Sequence, residues 1–434
     1  MRFRDVIKQV SRSSLLKNVL TLFSGKVVAQ LIIIGSAPII ARLFTPADFG
    51  AAALILAIAG LITPLSTFSF GTAAQLAERD CEARRLLRIA LFTTSVGVLF
   101  LTLLILGFQL FDPEGYLSQF NGWAWAIPIV FLLYGVESAL ESWNTRRKQF
   151  KIQATTYISS TTVSVGSRIY LGATYGSSIG SLVVGYILGL VTRVLVLAGK
   201  SDLIRPQQPS NDQPRSYRAL ISHYRDFPLF ATPTALLHSF NRQLPLLMFG
   251  TLFSPAIAGF YAMADRLFLR PLNLIQTSFR TVYTQHLISA VKGGRPGMRT
   301  FLKACVFTGA FMLVPSVSLA LFGESAVALF LGDRWRVAGT YIEITAPLMF
   351  FASIVIPANA AMVVFRKQRR LLGLQVVTTL SLVAGFTLAF WYWGTPEAAL
   401  RALVIVMALR HLYTLLVAFS IVRKSDQERT QPGK

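Results

Sequence analysis

The chain has 434 residues, 53% of them hydrophobic and only 14% charged, yet its formal net charge is +23. Soluble domains carry nearer a quarter charged residues, and a mean hydropathy of +0.56 excludes that class in favour of a membrane protein. The excess positive charge does not point to nucleic acid, because the bases fall in short loops between apolar segments, as expected of loops facing an anionic leaflet.

The N-terminus, MRFRDVIKQVSRSSLLKN, is basic, and the apolar stretch after it has no small-residue cleavage site. The first span is therefore expected to be retained. Apolar windows of about 20 residues, the length that crosses the hydrocarbon core as helix, then recur at 18–41, 49–73, 86–109, 122–141, 152–175 and 177–199. Residues 200–226 break the pattern with three prolines and many polar side chains, the composition of a linker. Six more windows follow at 227–249, 255–279, 301–323, 337–362, 371–393 and 397–422. With the N-terminus inside, only Arg42, Arg334, Arg336 and Arg401 fall in outer loops, while Lys and Arg crowd the inner ones. The expectation is an all-α integral membrane protein of twelve transmembrane helices with both termini cytoplasmic. Its domains would be a six-helix lobe at 1–200, a cytoplasmic linker at 201–226 and a second six-helix lobe at 227–434.

A short motif recurs between the halves. RLFTPADFG at 42–50 is echoed by TLFSPAIAGF at 251–260, with Pro46 and Gly50 matching Pro255 and Gly259. Both copies fall between the first and second spans of their half. Pro at the start fixes φ, and Gly allows close backbone approach, so both read as tight turns. Six spans is an even number, so the halves enter the membrane in the same direction. The expected relation is a parallel repeat about an axis along the membrane normal.

Several ionisable residues lie within spans, where each costs on the order of 3 kcal/mol at the bilayer centre. The bases are Lys26, Arg168, Arg193, Arg242, Arg266, Arg270 and Arg410, and the acids are Glu137, Asp265 and Glu343. Arg193 and Glu137 lie near inner ends and Glu343 near an outer end, where long side chains snorkel. Arg168 and Arg410 are deeper, and read equally as interhelical ion-pair partners or as cavity lining. Lys26, Arg242, Arg266 and Arg270 fall in the spans joined by the repeated turns. Arg266 and Arg270, four residues apart, share a helical face, and neighbouring Asp265 is placed to pair with another span or to take part in coupling. The bases outnumber the acids, so the surplus needs water, carbonyls or an anionic ligand. Arginine's planar fork favours phosphate or pyrophosphate.

No enzyme motif is found. AGKS at 198–201 lacks the first glycine of a P-loop, since position 194 is Val. His223, His238, His286 and His411 have no metal-ligand spacing, and Cys81 and Cys305, far apart in sequence and both expected on the cytoplasmic side, suggest neither a metal site nor a disulfide. No cofactor is expected. The Gly176–Gly180 and Gly185–Gly189 pairs suggest helix packing.

The segments KNVLTLFSG (17–25), ARLFTPADFG (41–50) and AAALILAIAGLI resemble the start of polysaccharide export flippases of the Wzx type, relatives of the MurJ-type lipid II flippases and the MATE-type antiporters. Thr45, Pro46, Phe49 and Gly50 match the family's turn signature. The resemblance implies two helical lobes around a central cavity, alternating access and a cationic site for undecaprenyl-pyrophosphate-linked oligosaccharide in a bacterial inner membrane. The positions compatible with that site are Lys26, Arg242, Arg266 and Arg270. Partners would be the lipid-linked oligosaccharide, membrane lipids and a polysaccharide polymerase or export machinery, with no nucleic acid. The alternatives are a MATE-type multidrug or ion antiporter, which suits a basic cavity poorly, and a membrane-embedded glycan polymerase, for which the outer loops are short. The MurJ-like group typically has two further C-terminal spans and more arginines in span one, which argues against lipid II as cargo.

Overall fold

A computed structural model describes residues 14–201, 203, 215–292, 297–365 and 367–430. The linker predicted at 201–226 lies partly outside these residues. Among the described residues the chain is helical, with no strand. Two compact units divide it, Met1–Gly259 and Phe260–Lys434.

The first unit contains α1 (Ser14–Leu43), α2 (Pro46–Thr67), α3 (Phe70–Leu76), α4 (Asp80–Phe111), α5 (Ala126–Arg146), α6 (Phe150–Tyr175), α7 (Ile179–Lys200), α8 (Tyr217–His223) and α9 (Thr232–Leu252). Helix α10 (Pro255–Ala264) begins in it and runs through a π-helical turn (Asp265–Leu269) into α11 (Arg270–Lys292). The second unit continues with α12 (Gly297–Leu331), α13 (Arg336–Ile354), α14 (Ile356–Val364), α15 (Gln368–Trp393) and α16 (Pro396–Thr430). In the first unit α6 packs along α1 and α7, and α2 along α9 and α5. In the second, α12 packs on α13, and α16 on α13 and α15.

Nine helical segments are long and apolar enough to cross a membrane among the described residues: α1 from Thr21, α2, α4, Trp123–Arg146, α7, α12, Asp333–Val364, α15 from Gly373, and α16 as far as Gln427. The chain is a multi-pass membrane protein. The other three segments expected to span are helical but more polar. They are α6, α9 and the α10–α11 helix, which carry Arg168, Arg242, Asp265, Arg266 and Arg270. In α6 the apolarity is lowered mainly by serines and threonines, with Arg168 among them, and in α9 His238, Asn241 and Gln243 add to Arg242.

The repeated motif is a pair of helix starts. Thr45 is the N-cap of α2, and its Oγ1 accepts from the Asp48 amide at 3.1 Å, with Pro46 at the first helical position. Ser254 does the same for α10, accepting from the Ile257 amide at 3.3 Å ahead of Pro255. A small hydroxyl followed by proline satisfies one orphan amide and omits another. The first copy has extra support: Ser177 accepts from the Thr45 amide at 2.9 Å and donates to Asp48 at 2.5 Å.

One turn further on, the two helices touch backbone to backbone. A Cβ on Gly50 would run into the Pro255 carbonyl, and a Cβ on Gly259 would run into the Pro46 carbonyl. The contact is reciprocal, as a two-fold relation between the copies requires. The Gly185–Gly189 pair lies against Arg168, Ser160 and Ser164 of α6, in the packing role expected of it.

Helix α2 ends at Phe68 and Ser69, both at positive φ (45° and 58°), before α3 begins. The turn from α3 into α4 is fastened by Arg146, which donates to the carbonyls of Ala74 and Ala77 and pairs with Asp80 at 2.9 Å. In the second unit Asp426 of α16 accepts from the Gly297 and Met298 amides at 2.9 and 2.8 Å, capping the start of α12.

The crossing yields a discriminating prediction. Gly50→Ala and Gly259→Ala should each destabilise the purified protein by about 1–3 kcal/mol, the usual cost of forcing atoms into a filled site. Gly35→Ala, where the added Cβ meets nothing within 4 Å, should be neutral or slightly stabilising. Thermal unfolding in detergent checks this, and equal melting of all three variants would refute the close crossing. Thr45→Ala should cost roughly 1 kcal/mol through loss of the cap.

Candidate functional site

Lys26 lies on α1, half-buried. Gly25 beside it lets the α1 backbone close on Ala154 of α6, where a Cβ would stand 2.7 Å from the Ala154 Cα. That approach carries Lys26 onto Tyr157, one turn along α6, with Nζ 5.0 Å from the ring centroid. The Arg193 guanidinium of α7 lies over the same ring at 4.3 Å. Arg193 in turn pairs with Glu137 at 2.9 Å and Glu141 at 3.5 Å, both on α5. The Tyr157 hydroxyl donates to Glu141 Oε1 at 3.1 Å. Arg193 and Glu137, expected to snorkel separately, are bound to each other across α7 and α5. Pairing two charges is far less costly in a low dielectric than exposing either alone.

Tyr157, Glu137, Glu141 and Arg193 were not among the expected site residues. The one local signal was the i, i+4 spacing of Glu137 and Glu141, which puts both on one helical face. Tyr157 has no sequence signal, because its role follows from three helices meeting.

Arg168 is buried against α7. Its Nε donates to the Leu182 carbonyl at 3.2 Å, and the guanidinium lies 5.3 Å from the Tyr186 ring. Tyr186 is hydrogen-bonded to Tyr134 of α5 at 2.6 Å, so these groups link α5, α6 and α7. Arg242, on α9, is exposed and has no ion pair among the described residues.

In the second unit the π-helical turn at Asp265–Leu269 decides the geometry. A π turn holds about one residue more than an α turn, so positions five apart come to the same side. Asp265 accordingly pairs with Arg270 of its own helix, at 3.0 Å, rather than with another span. Arg266 is buried and Arg270 exposed, so the two bases meet different surroundings although they are one turn apart. Arg410 donates to Gln375 Oε1 of α15 at 3.0 Å. Glu343 of α13 accepts from the Glu324 amide at 2.8 Å.

Lys26, Arg168 and Arg242 thus belong to the first unit, and Arg266, Arg270 and Arg410 to the second. In each, bases sit on the helices that are too polar to stand out as spans, together with Lys26 on α1 and Arg410 on α16. The first unit adds two carboxylates held to a base. Such an arrangement can hold anions through its bases and protons through its carboxylates.

The fold has solved counterparts. It is similar to the lipid II flippase MurJ in an inward closed conformation, with a TM-score of 0.72 over 96% of this chain and 91% of that one, at 13% identity. It is also similar to an inward-facing multidrug resistance MATE family transporter of the MOP superfamily, with a TM-score of 0.61 over 93% and 96% of the two chains, at 16% identity. A MOP superfamily transporter from Pyrococcus furiosus matches with a TM-score of 0.61 over 98% of each chain, at 15% identity. At these identities the likeness concerns the fold. No curated protein sequence matches the chain. The sequence of residues 39–340 matches the model of a polysaccharide biosynthesis protein family. That match takes in the first repeated turn, Arg168, Arg242 and the π-turn bases, and by it the chain belongs to the polysaccharide biosynthesis protein family, built on the fold shared by MOP superfamily transporters.

Proposed function

We propose that the protein is a flippase that moves undecaprenyl-pyrophosphate-linked oligosaccharide repeat units across a bacterial inner membrane by alternating access. Twelve helices cross the bilayer in this reading, and both termini face the cytoplasm, where the bases of the inter-span loops accumulate. The protein transports rather than catalyses. Energy comes from an ion gradient or from the concentration difference of the substrate.

The observation that carries the reading is the set of bases without matching acids. Lys26 and Arg242 meet no carboxylate among the described residues, although both lie on helices at membrane depth. Such charges persist when they line a wet cavity that receives an anion. A diphosphate suits several bases on different helices, because its oxygens are spread widely enough to meet more than one. A site rich in bases does not suit cationic drugs, which separates this reading from that of a multidrug antiporter.

Deleting the gene should abolish surface polysaccharide while lipid-linked repeat units accumulate with their glycans facing the cytoplasm. Normal surface glycan in the deletion strain would refute the flippase reading, and export of cationic dyes from proteoliposomes would favour an antiporter instead. Within the protein, the Arg266→Ala/Arg270→Ala and Lys26→Ala/Arg242→Ala pairs should each lower export about tenfold or more at normal protein level. That is the scale of losing one charge-assisted contact, roughly 1.5–3 kcal/mol. Quantifying surface polysaccharide against membrane-extracted protein checks it, and full export in a pair removes that pair from the site.

A further inference from the structure

Two bases from different helices converge on one aromatic ring, and their situations differ. Arg193 is held by two carboxylates, Glu137 and Glu141, at 2.9 and 3.5 Å. Lys26, over the same Tyr157 ring, meets no acid among the described residues. The group of Lys26, Arg193, Glu137 and Glu141 has zero formal charge but an uneven one, with both acids leaning on one base. Among the described residues the Lys26 ammonium has a ring face to set against the cost of its depth. An anion carrying more charge than a carboxylate would gain both bases at once, and the guanidinium fork is shaped for phosphate oxygens.

We propose that this cluster is an exchange site, in which the diphosphate of the lipid-linked substrate takes Arg193 and Lys26 while Glu137, deprived of its counter-ion, takes up a proton from water. The proposal rests on the flippase reading and adds to it a second group of contacts and a coupling step. No covalent bond changes. One proton moves from water to the Glu137 carboxylate as the diphosphate enters, and it returns when the diphosphate leaves. Of the two acids, Glu137 is the one that must neutralise. Its side chain is 12% exposed against 33% for Glu141, and Glu141 keeps the Tyr157 hydroxyl as a donor after the exchange.

The charged and titratable groups facing Glu137 are few. They are Arg193 from α7, Glu141 on its own helix, Tyr157 from α6 and, behind that ring, Lys26 from α1. Helix α2 carries only Asp48, in its first turn, and α3 carries no charge. The charges of α4 end at Arg88, and its Asp80 is engaged by Arg146 and Arg147 at 2.9 and 3.1 Å.

Isothermal calorimetry on the purified full-length protein, with farnesyl diphosphate as probe, tests this. Titrations in two buffers of different ionisation enthalpy count the protons taken up. They are run above about pH 6, where a phosphate's own last protonation falls. The wild type should take up a net proton on binding, and its affinity should weaken by up to about tenfold per unit rise in pH. The sign follows from the exchange: losing Arg193 favours the protonated carboxyl, so binding is tighter where protons are plentiful. Glu137→Gln should bind with no uptake and little pH dependence, and Glu141→Gln should retain uptake. Wild-type binding without uptake overturns the exchange and leaves the flippase reading standing, as does uptake that persists in E137Q. Loss of uptake in E141Q but not in E137Q overturns the assignment to Glu137. No binding of the diphosphate by the wild type counts against the flippase reading itself. The wild-type slope decides the matter even if E137Q cannot be purified.

Discussion

A charge in hydrocarbon must be answered by something nearby, and the structure shows how four of the arginines singled out in the sequence are answered. Arg193 has two carboxylates. Arg168 has a backbone carbonyl and the face of Tyr186. Arg270 has Asp265, and Arg410 has the amide oxygen of Gln375. These solutions tie α5 to α7, α6 to α7 and α15 to α16, so compensating charge also fixes helix packing. Without the surrounding partners each arginine would cost several kcal/mol.

The repeated turn supplies the complementary, uncharged device. Thr45–Pro46 and Ser254–Pro255 each start a helix with one capped amide and one missing amide. Gly50 and Gly259 then let those helices meet through their backbones. The contact needs the same short spacing from cap to glycine in both copies. If either spacing changed by one residue, the glycine would turn about 100° round its helix and a side chain would face the partner carbonyl. That requirement explains why the motif is matched in spacing as well as in residue type.

Much of this was legible because it is local. Apolar windows locate helices, and hydroxyl-proline pairs locate their starts. The loop charges suggest how the chain is oriented in the bilayer. What escaped the sequence depends on helices meeting. Nothing in the spacing of Lys26, Tyr157 and Arg193 says that they share a ring, since each lies on a different helix and Gly25 sets the approach. The Asp265–Arg270 pair was hidden for another reason. Five residues apart on an α-helix are about 140° apart round the axis, so only the π turn makes them neighbours.

That π turn is also where the two copies of the repeat part company. In the repeat's register Arg266 and Arg270 correspond to Ala57 and Leu61 of α2, which runs as unbroken α-helix from Pro46 to Thr67. After Gly259 the second copy continues for one turn and then inserts the extra residue at Asp265–Leu269. A π turn gives up regular i→i−4 hydrogen bonds and persists only where something offsets the loss. Here the offset includes the ion pair it creates. In the first copy the same stretch of helix has no charge to place and needs no such distortion. The turn motif is therefore duplicated down to its glycines, whereas the π turn at Asp265–Leu269 appears only in the second copy. Arg266 lies buried and Arg270 exposed, and the inserted residue is what brings Arg270 within reach of Asp265.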